Sequence, residues 1–167
     1  ATVNSKGVVT GIKEGTVAIS CTTVDGGYVA NCNVNVVISA QAVKLNRESM
    51  TLQAGFNYTL QATVTPATAT NKLVTWTSSD ERVVKVNANG TVSAIAGGKA
   101  TVTATTVSGG HTASCVFNVL QEPTGIELDY TVRNMYIGQV ATITPYVLPE
   151  TATSRDVTWT SSNSKII

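Results

Sequence analysis

Pro66-Ala-Thr-Ala-Thr-Asn-Lys-Leu-Val-Thr-Trp-Thr-Ser-Ser79 decides how the rest of this chain is read, because it returns downstream as Pro149-Glu-Thr-Ala-Thr-Ser-Arg-Asp-Val-Thr-Trp-Thr-Ser-Ser162. The two copies hold the only tryptophans, Trp76 and Trp159, 83 residues apart. A period of that length points to tandem domains, since solenoid repeats run to about 20–50 residues.

Working outward, the same offset aligns the whole chain with itself. Val3, Asn4, Gly7, Val9, Ile12 and Gly15 fall on Val86, Asn87, Gly90, Val92, Ile95 and Gly98. Cys32 and Val36 fall on Cys115 and Val119, and Leu45, Gly55 and Val64 on Leu128, Gly138 and Val147. On this register residues 1–38 are the back half of one repeat, 41–121 a complete repeat, and 124–167 the front half of a third. Because Ala1 falls in mid-repeat, the chain reads as a window on a longer array, and the lack of a leader at Ala1 says nothing about export.

The local pattern within each repeat is that of strands. Val17, Ile19 and Cys21 alternate with polar residues over Thr16–Val24, and Cys32, Val34 and Val36 do so over Val29–Val37. Between them, Gly26-Gly27 predicts a two-residue hairpin loop, where glycine takes positive φ without strain. Tyr58, Leu60, Ala62 and Val64 alternate through a single predicted strand over Tyr58–Thr65, which Pro66 ends because it cannot donate to a ladder. Short strands at Val43–Leu45, Ser49–Leu52, Leu73–Thr77, Val83–Val86 and Thr91–Ile95 fill the rest, with the closing hairpin repeated over Lys99–Val119. The composition agrees, because threonine and valine are abundant and β-branched side chains fit a pleated surface. The fold class is therefore all-β, seven or eight short strands per repeat packed as a sandwich.

Composition also excludes whole classes of function. Charged residues make up 13% of the chain and the net charge is +1, with no basic or acidic run. No electrostatic footprint for nucleic acid follows from that. No apolar run reaches the roughly 18 residues of a membrane-crossing helix.

The ordered set Gly55, Pro66, Val74-Thr-Trp76-Thr-Ser-Ser79, Val83, Val86, Asn89-Gly90, Gly98 and Ala100-Thr-Val102 resembles the bacterial immunoglobulin-like domain of group 2. The likeness covers one full copy and both partial ones. It implies an immunoglobulin-type sandwich, found in tandem in intimin- and invasin-like adhesins, other bacterial surface proteins and phage virion proteins. Members act as stalks, spacers or adhesive modules, and the family supplies no catalytic residues to carry over.

Candidate sites are few. Cys21 and Cys32 lie symmetrically about Gly26-Gly27, which leaves two readings open: a cross-strand disulfide, or two buried thiols on a core face. Cys115 has Ala104 at the partner position and is expected as a buried free thiol. Trp76 and Trp159 are expected as core fillers of the sandwich. His111, the only histidine, is expected as a solvated turn residue. Asp25, Asp80, Glu81 and Asp156 are scattered through turns without an Asp-x-Asp spacing, so no metal site and no cofactor is expected. No nucleophile–base pair or carboxylate dyad can be assembled, and the expectation is a protein that is not an enzyme.

Three functions fit. The first is a non-catalytic structural or adhesive array, extracellular or on a bacterial surface. Its short links at Val37–Ala42 and Leu120–Gly125 would make it a semi-rigid stalk. Its partners would be neighbouring domains of the same or an adjacent chain, and a host-surface protein or glycan. The second is a module decorating a phage head or tail. The third is a head-to-tail filament, in which the split repeats of adjacent chains complete each other.

Overall fold

The computed structural model describes residues 1–166, and within them every regular element is a strand. Residues 1–38 form two self-contained antiparallel pairs. Strand β1 (Thr2–Val3) pairs with β2 (Val9–Thr10), and β3 (Gly15–Thr22) pairs with β4 (Val29–Val36) along its full length. Asn4 closes the first turn. Its carbonyl accepts the Gly7 amide at 3.0 Å, and its Oδ1 accepts the amides of Lys6 and Val8 at 3.0 and 2.9 Å. The asparagine side chain here replaces a backbone acceptor, as it does in Asx turns. One face of β3–β4 is polar, tied across the strands by Thr16 to Asn35 and Ser20 to Asn31.

The β3–β4 loop is longer than the glycine pair predicts. Pairing ends at Thr22 and Val29, and the Thr23 amide donates to the Tyr28 carbonyl. Val24–Gly27 form the loop, with the Thr23 hydroxyl accepting the Tyr28 amide at 3.0 Å. That extra acceptor holds a wider loop than two left-handed glycines alone would make.

Residues 41–121 hold nine strands: β5 (Ala42–Leu45), β6 (Ser49–Gln53), β7 (Asn57–Thr59), β8 (Ala62–Thr65), β9 (Val74–Ser78), β10 (Val84–Val86), β11 (Thr91–Ala94), β12 (Gly98–Thr106) and β13 (Thr112–Leu120). They form sheets of order β10-β11-β7, β6-β13-β12-β9 and β5-β8, with β6 running parallel to β13. The single strand expected over Tyr58–Thr65 is divided. Its first part joins β11 and its second joins β5, because Asn46 holds the break open. The Asn46 amide donates to the Gln61 carbonyl at 3.0 Å, its Oδ1 accepts the Gln61 amide at 2.9 Å, and its Nδ2 donates to the Tyr58 hydroxyl at 3.2 Å.

The chain falls into two compact units. One comprises Ala1–Lys44, Ala62–Thr75 and Ala104–Ala113, and the other the remainder of the described residues. The core of the first gathers Ala40, Val43, Val64 and Ala69. That of the second is larger, built on Leu60, Val84, Val92, Val102, Cys115 and Phe117, with Met50, Leu52, Tyr58 and Trp76 packed against it.

Residues 124–166 hold only β14 (Gly125–Leu128) and β15 (Pro145–Leu148), paired antiparallel. The positions 83 residues after β6, β7 and β9, namely 132–136, 140–142 and 157–161, are irregular. The reason lies in who pairs with whom. In residues 41–121, β5 and β8 pair with each other, whereas β6, β7 and β9 pair with β13, β11 and β12. A strand forms wherever its partner lies within the same segment, since an unpaired backbone has no ladder to join. The same rule explains why residues 1–38 keep both of their pairs.

Candidate functional site

Two joints, each wholly within one compact unit, repeat the same hydrogen bonds 83 residues apart. Both grow out of the turn at the start of the repeated stretch. Pro66 ends β8, and the Ala69 amide donates to its carbonyl at 2.9 Å. This turn buries Ala69 and presents Thr70 at the surface. The turn at Pro149 does the same, with Ala152 donating to Pro149 at 2.9 Å and Ala152 buried ahead of Thr153.

Thr70 then takes hold of the linker preceding β5. Its hydroxyl accepts the Ile38 amide at 2.8 Å, its own amide donates to the Ile38 carbonyl at 2.9 Å, and its hydroxyl donates to Glu14 Oε1 at 2.7 Å. Thr153 repeats this on the linker preceding β14. Its hydroxyl accepts the Gln121 amide at 2.7 Å and its amide donates to the Gln121 carbonyl at 2.7 Å. The third anchor differs in chemistry but not in place. Gln121 Oε1 accepts the Gly97 amide at 2.9 Å and the Thr151 hydroxyl at 2.7 Å. Gly97 stands where Glu14 stands, and a Cβ there would run into the Thr151 carbonyl. A second strap crosses each linker: Gln41 N to the Thr65 carbonyl, and Thr124 N to the Leu148 carbonyl, both at 2.7 Å.

Each joint therefore satisfies the linker residue's backbone in both directions. The reciprocal pair and the second strap are neutral hydrogen bonds in both joints and contribute about 1 kcal/mol each net of water, so these three favour one linker geometry by roughly 2–3 kcal/mol. That is enough to populate one arrangement of the linker strongly. The sequence signal was present, since Thr-Ala-Thr recurs at 68–70 and 151–153, but spacing alone does not tell a joint from a strand end.

The residues singled out from the sequence are dispersed. Cys21 lies opposite Ala30 and Cys32 opposite Ile19, so the two thiols are diagonal rather than directly facing. Diagonal pairs stand about 7–8 Å apart between Cα atoms, beyond disulfide reach. The wider loop is what shifts the register, and both thiols are free and exposed. Cys115 is fully buried, and burial raises its thiol above the ordinary range. Trp76 packs on the larger core, whereas Trp159 is 56% exposed because residues 157–161 are irregular and have no pairing partner. His111 is half-buried rather than solvated, its Nε2 3.0 Å from the Ala40 carbonyl. Asp80 forms an ion pair with Arg82 at 2.8 Å, and that guanidinium lowers its carboxyl below the usual value. Among the described residues no three acids, cysteines or histidines converge on a metal-sized space. No helix there is long and apolar enough to cross a membrane.

Residues 39–117 match the family described as bacterial Ig-like domain (group 2). An uncharacterised protein of Clostridium acetobutylicum is 34% identical over 80% of this chain, and an alpha-L-arabinofuranosidase of Bifidobacterium longum is 38% identical over 79%. An Ig-like virion protein of Serratia phage KSP90 is 32% identical over 75% of the chain. The chain spans 14%, 12% and 50% of the length of these three relatives. Among solved structures, domains 1–6 of the surface layer protein SbsC share 20% identity at a TM-score of 0.43, over 76% of this chain and 20% of that one.

Proposed function

We propose, on the premise that this chain belongs through residues 39–117 to the bacterial Ig-like domain (group 2) family, that it is a length of a tandem, non-catalytic array serving as an extracellular spacer or adhesive stalk. In this reading residues 1–38, 41–121 and 124–167 are successive repeats, the outer two represented in part. The single observation that carries it is the joint. The same reciprocal pair of bonds links Ile38 to Thr70 and Gln121 to Thr153, so each linker is held to the threonine turn beside it in the same way. A run of such joints holds adhesive ends away from the surface that bears them. Within relatives that are enzymes, such as the arabinofuranosidase, a repeat of this kind would be an accessory to a catalytic region elsewhere.

Small-angle scattering of the 167-residue chain in dilute solution tests the reading. The expected pair-distance distribution is that of a rod. Replacing Thr70 and Thr153 together by valine should broaden it toward a flexible chain. A compact globule, or a rod indifferent to the double substitution, would sink the proposal.

A second reading has its own observation. The phage virion protein is the relative of which this chain covers half, against 14% and 12% for the other two, so a virion module is the alternative. Antibody labelling of native particles distinguishes it from a cell-surface stalk.

A further inference from the structure

One contact in each joint reaches from the earlier repeat toward the next, and it is the contact that changes between them. In the first joint the earlier repeat offers a side chain, because Glu14 Oε1 accepts the Thr70 hydroxyl at 2.7 Å. In the second it offers only backbone. The Gly97 amide donates to Gln121 Oε1 at 2.9 Å, and the same oxygen accepts the Thr151 hydroxyl of the following repeat at 2.7 Å. Residues 14 and 97 correspond, as do 38 and 121, so an acid with an isoleucine in one joint answers a glycine with a glutamine in the other.

Each choice excludes the other's partner. Gly97 has no positive φ, unlike Gly98 beside it at 147°, so glycine stands there for space and not for backbone freedom. A Cβ on it would run into the Thr151 carbonyl and lie 3.2 Å from the Gln121 Cβ. The gap that Glu14 spans with its whole side chain is, at Gly97, too narrow for one carbon. Backbone that close must find an acceptor for the half-buried Gly97 amide. Gln121 supplies it. A carbonyl oxygen has two lone pairs, and this one uses them on Gly97 and Thr151. Isoleucine at 121 would offer no acceptor. In the first joint the acceptor comes from Glu14, and half-buried Ile38 contributes only its backbone bonds and its packing. An acid at 97 thus fails on space, and an isoleucine at 121 on an unmet donor.

We propose that Gly97 with Gln121, and Glu14 with Ile38, are matched pairs that decide which linker and following repeat a given repeat can join tightly. A repeat that presents glycine takes a linker carrying an acceptor side chain, glutamine or glutamate, followed by a repeat with a hydroxyl at the place of Thr151. A repeat that presents an acid takes an aliphatic linker residue followed by a repeat with a hydroxyl at the place of Thr70. A mismatched joint keeps the reciprocal backbone pair but meets either a clash or a donor without an acceptor, so discrimination comes from the penalty on the wrong neighbour as much as from the bonds to the right one. The proposal rests on reading residues 41–121 and 124–167 as successive repeats. Exchange at single amides reports the match whether or not the chain scatters as a rod, so the two readings fail separately.

Hydrogen exchange of the full chain, over a cycle of substitutions at the second joint, provides the test. Gln121→Ile removes two bonds and should quicken exchange of the Gly97 amide about 30-fold, whereas Gln121→Glu keeps the acceptor and should hold it within about threefold of the unsubstituted chain. Gly97→Ala adds only the Cβ, and it and Gly97→Glu should each quicken the amides of residues 121 and 153 by about tenfold or more. Gly97→Glu combined with Gln121→Ile copies the first joint and should return those two amides toward their original rates. Protection of Cys115 from a thiol reagent checks that residues 41–121 stay folded, and if a Gly97 variant loses it the two Gln121 variants decide alone. Equal exchange of the Gly97 amide in Gln121→Ile and Gln121→Glu overturns the proposal. So does a folded double variant as loose as the looser of its two single variants.

Discussion

Phe117 and Val34 occupy corresponding positions and show how far context sets the worth of one side chain. Phe117 is fully buried in the larger core, so Phe117→Ala should destabilise the chain by about 3–5 kcal/mol, read as a fall in the denaturation midpoint. Val34 is half-buried, and Val34→Ala should cost less than about 1 kcal/mol. The thiols divide the same way. Cys21 and Cys32 should react with a thiol reagent in the folded chain, and Cys115 only on unfolding. Because burial raises the folded Cys115 thiol, the neutral form is the one the fold holds. Its stabilisation is intact below the ordinary thiol pKa of about 8.5 and is lost as pH climbs through the higher folded value. Urea titrations at neutral and strongly alkaline pH should show this loss in the unsubstituted chain and not in Cys115→Ala.

At the level of elements, the rule is that a strand needs its partner more than its pattern. Residues 132–136 and 157–161 keep the hydrophobic spacing of β6 and β9 and yet are irregular. Hydrogen exchange at dilution should therefore be fast over 132–136, 140–142 and 157–161 and slow over 49–53, 57–59 and 74–78. Equal protection of the two sets would contradict the pairing rule. The sequence placed most strand positions within a residue or two, because alternation reports which side of a sheet a side chain faces. It missed the break at Leu60–Gln61, since alternation continues through it while the two halves join different sheets. It also missed the loop at Val24–Gly27, where the Thr23 hydroxyl, and not the glycines, sets the length. That loop is what separates Cys21 from Cys32 by a register step.

For the whole molecule, the two joints lie in different compact units, one on each linker, so loosening one should leave the other intact. Hydrogen exchange at the Ile38 and Thr70 amides should quicken in Thr70→Val while the Gln121 and Thr153 amides stay slow, and Thr153→Val should do the reverse. A single substitution that frees both linkers at once would contradict the independence of the joints.

The sequence by itself determined the all-β class, the 83-residue register and the positions of the core hydrophobes within residues 41–121, because these rest on periodicity and on local turn chemistry. It also placed Thr70 and Thr153 at matching points without showing what they hold. Only tertiary structure decided which patterned segments became strands, which thiols were buried, and that the two threonines reach back to Ile38 and Gln121. The physical reason is the same in each case. A ladder, a buried face and a reciprocal hydrogen bond each require a partner distant in sequence, and periodicity names only one side of the pair.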